Sequence, residues 1–200
     1  MKLIPMKVEY FGLGAVPEEL DLLAFIGKCA GEAYNSSKDT TACVNRALSC
    51  IRRGHHSVFE HANITLRSTV DRGVSHALVR HRHCAVTQSS TIYQRYGELI
   101  CIEDTYTSEQ FLNASEAEYK RQLDTNIAPG EARDCLPTDL ATNIIITTNI
   151  RQWMYMLQRR AGPGDSDKMH KWNKLVRAWY EQHFPQLLTA FDNWYKGHPL

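Results

Sequence analysis

Long apolar runs, paired cysteines and a large excess of either charge are all missing from this chain of 200 residues. Its 23 basic and 22 acidic side chains leave a formal net charge of +1, which argues against a general binder of nucleic acid or membrane surfaces. No window approaches the ~20 apolar residues of a membrane span, and the first residues lack the apolar run of a signal peptide. The six cysteines form no C-x-x-C pair. We therefore expect a cytoplasmic protein with small, buried, reduced cysteines, and neither nucleic acid nor a membrane as partner.

Repeats, low-complexity segments and Pro/Gly/Ser-rich linkers are also missing. Hydrophobic residues make up 43% of the chain, which is enough for one substantial core. Helical and strand-like patterns intermingle along the sequence, as is typical of an α+β layer structure. The chain is therefore predicted to form one α+β domain over residues 1–200.

Periodicity and capping residues predict the individual elements. Gly54 is expected to end a helix, and Asn149 to cap another. The predicted elements are an edge strand over 1–11, helices over 17–34 and 41–53, a strand over 62–71, a short helix over 75–83 that carries Arg80 to Arg82, a helix over 108–125 capped by Ser108, a strand over 137–148, a helix over 149–160 and a final helix over 168–183.

Lysine is absent between Lys38 and Lys120, so every permanent cation in that part of the chain is an arginine. Residues 80–96 contain three arginines, two histidines and several hydroxyl side chains, but no acidic residue. A packed core has no use for so many fixed donors. A phosphorylated, planar ligand, by contrast, needs arginine forks for its phosphate and hydroxyls for the remaining oxygens. This segment therefore predicts a local anion site.

The same segment resembles a family signature. An R-H-R triplet at residues 80–82 is followed after seven residues by Ser90, as in the flavin-dependent thymidylate synthases, the ThyX family. Three other segments are similar to family elements in the same order: GHHSVFEH from Gly54, ARDCLP from Ala132 and NIRQWMYMLQRR from Asn149. The resemblance covers roughly residues 20–190.

This resemblance implies an α+β domain with a mainly antiparallel sheet flanked by helices, and a homotetramer with shared active sites. It also implies methylation of deoxyuridylate (dUMP) to thymidylate, with FAD as cofactor, methylenetetrahydrofolate as carbon donor and NADPH as reductant. Shared sites make physical sense, because a small domain lacks the walls to enclose three ligands alone.

Site residues follow from the same resemblance. The dUMP site is expected to comprise Ala77, Arg80, Gln88, Ser89, Ser90, Thr91, Arg95, Arg133 and Arg160. The FAD site is expected to comprise Ser57, Glu60, Arg80, His81, Arg82, His83, Gln88, Asn149, Arg151 and Tyr155. The catalytic candidates are Arg160 and His55. A fixed guanidinium at Arg160 would stabilise the negative charge that builds on the N3/O4 edge of uracil in the transition state.

Other interpretations of these residues compete with those roles. Ser90 lies in no G-x-S-x-G element, so it is read as a ligand of the substrate and not as a nucleophile. The histidines lack H-E-x-x-H spacing, so no metal is expected. His61 can be a core histidine, and Arg160 can simply close a helix by its charge.

Departures from the family pattern keep the function partly open. Between Ser90 and Arg95 stand about three residues more than the usual S-x-R-Y, and AGPGDSDKMHKW replaces the usual segment after Arg160. Ala77, Ala85 and Tyr155 also stand where other residues are common. One alternative is a divergent member that transfers a different one-carbon group to a pyrimidine nucleotide. Another is an arginine-rich nucleic-acid-binding protein, which predicts binding with a steep salt dependence.

Overall fold

The computed structural model describes residues 1–36, 39–103 and 106–200. Its residues form two compact units, each assembled from separate stretches of the chain. The first unit contains residues 1–7, 67–82 and 86–145, and the second contains residues 8–66, 83–85 and 146–200.

Strands and helices intermingle along the chain. The strands are β1 (Lys2–Ile4), β2 (Lys7–Tyr10), β3 (Asn63–Asp71), β4 (Ala85–Gln88), β5 (Ile100–Ile102) and β6 (Ala141–Asn149). The helices are α1 (Glu19–Glu32), α2 (Thr40–Arg52), α3 (Arg72–Leu78), α4 (Glu109–Asp124), α5 (Pro129–Ala132), α6 (Ile150–Arg159), α7 (Asp167–His183) and α8 (Pro185–Gly197), with 3-10 helices at His56–His61 and Arg133–Cys135.

The main sheet has the strand order β2-β3-β6-β4, and β1 pairs with β5 in parallel. Thr65 Oγ1 lies 2.9 Å from Thr147 Oγ1, and Thr69 Oγ1 donates to Asn143 Oδ1 at 2.8 Å. A step of four residues forward in β3 is thus matched by four residues backward in β6, which is antiparallel pairing. The expected α+β fold with a mainly antiparallel sheet is confirmed.

Buried and half-buried residues alternate along β3 and β6, so one face of this sheet is directed toward the core. Even-numbered residues of both strands are buried, and odd-numbered ones between them are half-buried. The buried positions include Ser68, Thr142 and Thr148 beside the aliphatic residues, so one face carries hydroxyls that can accept or donate hydrogen bonds.

In the second unit, α1 and α2 pack very closely. A Cβ atom on Gly27 would overlap the backbone carbonyl of Cys43, so the contact requires glycine there. Gly54, with a φ of +73°, follows α2 and ends it as the sequence predicted.

Several predicted elements are confirmed with small shifts of their ends. These are α1, α2, β3, α4, β6, α6 and α7. Ser108 caps α4 by accepting from Phe111 N at 3.3 Å, and Asn149 caps α6 by accepting from Gln152 N at 2.9 Å.

Other predictions were wrong. The single edge strand over 1–11 is two strands, β1 and β2, in different sheets. The helix expected to carry Arg80 to Arg82 runs instead from Arg72 to Leu78, with Asp71 as its cap, so the triplet lies beyond its end. Helix α7 is not the last one: α8 follows it after Phe184. The short strands β4 and β5 were also missed, since three or four residues carry little periodic signal.

No disulfide joins the six cysteines, all of which lie within the described ranges. Two of them are buried and four are half-buried. Within those ranges, no helix combines the length and the apolar character needed to span a membrane.

Helix α8 covers a buried histidine of the second unit. His56 is 7% exposed, its Nε2 donates to the Ile51 carbonyl at 3.1 Å, and its ring packs against Phe191 and Trp194. Burial lowers the pKa of His56, the bond to Ile51 opposes this in part, and the charge of Arg151 lowers the pKa further.

His56 should therefore make stability depend on pH. Because its pKa is lower in the folded state, the unfolded chain takes up the proton first as pH falls below the ordinary histidine value of about 6.5. The contribution of neutral His56 to the free energy of unfolding is fully present above that value. It is lost as pH falls through the pKa that His56 has in the folded state. We expect His56→Gln to flatten the fall in the free energy of unfolding between about pH 7 and pH 5. Urea unfolding across this range measures it, with the exposed His76→Gln as control. If the free energy of unfolding falls as steeply with pH in His56→Gln as in the wild type, His56 is not the source of this pH dependence.

Candidate functional site

The R-H-R triplet lies just beyond the end of α3. Asp71, which is buried, accepts from Val74 N at 2.7 Å and so fixes the start of this helix. His81 N donates to the Leu78 carbonyl at 3.1 Å in the turn that follows. Arg80 and Arg82 are exposed, whereas His81 is half-buried. The triplet thus presents its arginines from an irregular turn in the first unit.

Gln88 is held at the end of β4 by hydroxyl groups. Its Nε2 donates to Ser75 Oγ at 2.8 Å and to Thr142 Oγ1 at 3.3 Å. Ser75 in turn donates to the Arg72 carbonyl at 3.0 Å. Both amide hydrogens of Gln88 therefore have protein partners, and its carbonyl oxygen remains the atom suited to a ligand.

The loop after β4 is anchored at its start and exposed at its tip. Ser89 N donates to the Asn143 carbonyl at 3.0 Å, and Ser90 Oγ accepts from Ile92 N at 3.0 Å. Thr91 is buried, whereas Tyr93 is 86% exposed. A hydroxyl that accepts one such bond keeps its own proton and a second lone pair, so Ser90 can still contact an anion.

A pocket of about 290 Å³ opens beside Ser89 in the first unit. Hydroxyl and amide side chains line it, together with three apolar residues: Thr69, Gln94, Tyr96, Thr142 and Asn143, with Ile4, Ile100 and Ala141. Arg72 Nη1 lies 3.4 Å from the Ser89 carbonyl. Burial raises the pKa of Tyr96, and the charge of Arg72 partly offsets this.

Sequence analysis missed Arg72 and Tyr96. The missed signal was Asp71, a good N-cap residue placed directly before Arg72. It marks the true start of α3 and so places an arginine in the first turn.

Three further residues expected at the dUMP site also lie in the first unit. Ala77 is half-buried on α3, Arg95 is exposed after the loop, and Arg133 is exposed at the start of a 3-10 helix. Every residue expected at the dUMP site except Arg160 therefore belongs to this unit.

The second unit holds a separate group around the 3-10 helix at His56–His61. His55, Ser57 and Glu60 are exposed there. Glu60 Oε1 accepts from Arg151 Nη1 at 2.5 Å, and both side chains are about half exposed, so water screens this ion pair. Tyr155, one turn after Arg151 on α6, is 39% exposed.

Chemically, this group suits a flavin nucleotide. An exposed guanidinium matches pyrophosphate oxygens, an exposed aromatic ring offers a stacking surface, and the Ser57 hydroxyl can both donate and accept. The cap function of Asn149 occupies its side-chain oxygen, which leaves the amide nitrogen for a ligand.

His83 has an unusual backbone in the same unit. Its φ is +59°, a left-handed conformation that non-glycine residues adopt at a cost. Its carbonyl accepts from Thr148 Oγ1 at 2.6 Å, which helps to hold that conformation.

Arg160 ends α6 and pairs with the loop that follows. Its Nη1 donates to Asp165 Oδ1 at 2.9 Å, and the two side chains are only 14% and 12% exposed. The guanidinium is therefore held in place by this chain itself. Within the described ranges, no three His, Cys, Asp or Glu side chains cluster closely enough to hold a metal ion.

Sequence comparison finds one family. The sequence model for the family described as thymidylate synthase complementing protein matches residues 19–186. The flavin-dependent thymidylate synthase of Synechocystis sp. is 24% identical over 166 residues, which are 72% of this chain and 77% of that protein. The Mycobacterium marinum enzyme of the same name is 27% identical over 189 residues, with 78% and 75% covered.

A third relative, from Geobacter sulfurreducens, carries the same name and is 30% identical over 137 residues. That alignment covers 62% of this chain and 58% of the relative, which is less than two thirds of its length.

Comparison of structures finds the same fold in a protein described as a UMP/dUMP methylase, PolB, from Streptomyces cacaoi, bound with 5-Br dUMP. The TM-score is 0.79 at 19% identity, and the match covers 96% of this chain and 97% of that one. Since the family model spans most of the sequence and includes all four motifs, the chain belongs to the thymidylate synthase complementing protein family.

Proposed function

We propose that this chain is a flavin-dependent thymidylate synthase. It methylates dUMP to thymidylate, with methylenetetrahydrofolate as carbon donor, NADPH as reductant and FAD as cofactor. Membership of the family and the names of three relatives support this proposal. The observation that carries the proposal concerns the first unit. Gln88 and Ser89, which are held by hydrogen bonds, lie in the same unit as the exposed Arg80 and Arg82.

In this proposal, the first unit binds the nucleotide. Arg80 and Arg95 supply planar donors for the phosphate, and Ser90 adds a hydroxyl. Gln88 Oε1 accepts from a hydroxyl or imide of the substrate. The hydrogen bonds from Gln88 to Ser75 and Thr142 fix this acceptor before the substrate arrives, which lowers the entropic cost of binding.

The proposed flavin ligands are those expected from the family resemblance. They are Ser57, Glu60, Arg80, His81, Arg82, His83, Gln88, Asn149, Arg151 and Tyr155. When bound, a flavin supplies the hydride chemistry that amino-acid side chains lack. Glu60 pairs with Arg151 in the absence of ligand, so that guanidinium exchanges an exposed, weak partner for a phosphate.

Arg160 is proposed to stabilise charge on the uracil. Transfer of a one-carbon group to the ring builds negative charge on its N3/O4 edge, and a fixed guanidinium there lowers the energy of the transition state more than that of the ground state. His55, exposed beside the 3-10 helix, is the second proposed catalytic residue.

A direct experiment tests the whole proposal. Purified protein is first examined for flavin absorbance and then incubated with dUMP, methylenetetrahydrofolate and NADPH. Mass spectrometry of the product identifies thymidylate. A product that carries a different one-carbon group would support the divergent alternative. UMP is assayed in parallel, because the structural neighbour is described as acting on UMP and dUMP. Light scattering tests the homotetramer that the family resemblance implies.

Arg160→Lys is expected to keep the flavin but to lose turnover. An ammonium group cannot present a planar fork to the N3/O4 edge, and one such donor is typically worth roughly 3–4 kcal/mol, or about 100- to 1000-fold in kcat. Steady-state kinetics measure this. Arg159→Lys, at the exposed neighbouring position, is the matched control and should retain wild-type turnover. Wild-type-like turnover of Arg160→Lys would exclude the proposed role.

Arg82→Ala and Ser90→Ala are expected to have opposite effects on the two ligands. Arg82→Ala should weaken flavin retention more than dUMP affinity, and Ser90→Ala should weaken dUMP affinity more, because each removes a donor proposed to face a different ligand. Flavin content and a dUMP titration by calorimetry measure both losses in both variants. Arg121→Ala on α4, which removes an exposed ion pair, is the control. Equal losses of both ligands in both variants would refute this division of roles.

A further inference from the structure

The loop between α6 and α7 holds a carboxylate against the proposed charge-stabilising arginine. Asp165 Oδ1 accepts from Arg160 Nη1 at 2.9 Å, and both side chains are largely buried. Asp165 Oδ2 is also buried, and no hydrogen bond to it is found among the described residues. A buried carboxylate with one open acceptor is costly, so its retention beside Arg160 calls for an explanation.

Hydrogen bonds at both ends brace the loop that carries Asp165. Asp165 N donates to the Gly162 carbonyl at 3.2 Å, and the ring nitrogen Nε2 of His170 donates to the same carbonyl at 2.9 Å. Ser166, the next residue, caps α7 by accepting from Met169 N at 3.3 Å. The backbone of Asp165 is therefore fixed from both sides.

The end of α6 is fixed in the same way. Arg160 N donates to the Met156 carbonyl at 2.9 Å, and the buried Asn173 of α7 donates to the Leu157 carbonyl at 2.7 Å. Helices α6 and α7 are thus tied together one turn before Arg160. With both backbones held, the ion pair allows the Arg160 guanidinium little freedom to rotate.

We propose that Asp165 is a positioning residue that fixes the guanidinium of Arg160 for transition-state stabilisation. This inference rests on the proposed function of Arg160. A guanidinium carries five N–H donors, and the bond to Asp165 is made by one of them, on Nη1. Because the orientation is set before the substrate binds, no reorganisation is needed as charge develops on the ring.

Asp165→Asn keeps the size of the side chain and removes its charge. We expect kcat to fall about 10- to 100-fold, as is typical when a reacting group is slightly misplaced, while the Kd for dUMP measured by calorimetry changes less than about threefold. Asp165→Glu, which restores the carboxylate one methylene farther out, should recover part of the lost kcat.

A matched control separates positioning from stability. Asp192 pairs with Arg177 in the same unit and is also partly buried. Asp192→Asn should lower Tm without lowering kcat per folded molecule. If Asp165→Asn loses activity only in proportion to folded protein, its role is structural and the proposal is overturned.

A double-mutant cycle provides the decisive measurement. If Asp165 acts through Arg160, adding Asp165→Asn to Arg160→Lys should cause no further loss in single-turnover rate. Additive losses would overturn the proposal, as would undiminished kcat in Asp165→Asn. An inactive wild-type enzyme would overturn the proposed function first, and this assignment with it.

Discussion

Two strand ends, each followed directly by a helix, organise this protein. Strand β3 ends at Asp71 and strand β6 ends at Asn149, and each of these residues caps the helix that follows, α3 or α6. The caps accept hydrogen bonds of 2.7 Å and 2.9 Å, and such a cap typically contributes about 0.5–2 kcal/mol. The proposed nucleotide residues follow α3, and Arg151, Tyr155 and Arg160 lie on or at the end of α6. Each cap therefore fixes where its own helix begins.

The arginines of the proposed site differ in their exposure and in the carboxylates that pair with them. Arg80 and Arg82 are exposed, Arg151 shares an exposed pair with Glu60, and Arg160 shares a mostly buried pair with Asp165. An exposed pair is easily exchanged for a ligand, because water screens it. A buried pair is costly to break, so it is better suited to orientation than to capture. The structure thus distinguishes arginines suited to capture an anion from one that is held in place.

Much of this fold follows from local sequence patterns. The alternation in β3 and β6, the glycine after α2 and the caps Ser108 and Asn149 each express a physical preference that acts over a few residues. The errors occurred where such signals were weak or competed. Asp71 was predicted only as the last residue of a strand and not also as a helix cap. The predicted helix therefore began too late and included the R-H-R triplet, whereas α3 ends at Leu78. The sequence predicted a lengthened loop from Thr91, but it gave no sign that Thr91 would be buried.

The sequence by itself determined the family, the antiparallel α+β class and the identity of the candidate residues, because motifs and periodicity depend on order along the chain alone. It gave no sign that Gln88 would bind Ser75 and Thr142, or that Asp165 would hold Arg160. The first contact joins residues up to 54 positions apart, and the second depends on a loop whose shape is set by His170 and the start of α7. Only the tertiary structure decides such contacts, because they require backbone segments to be brought together by burial of a core that no local preference encodes.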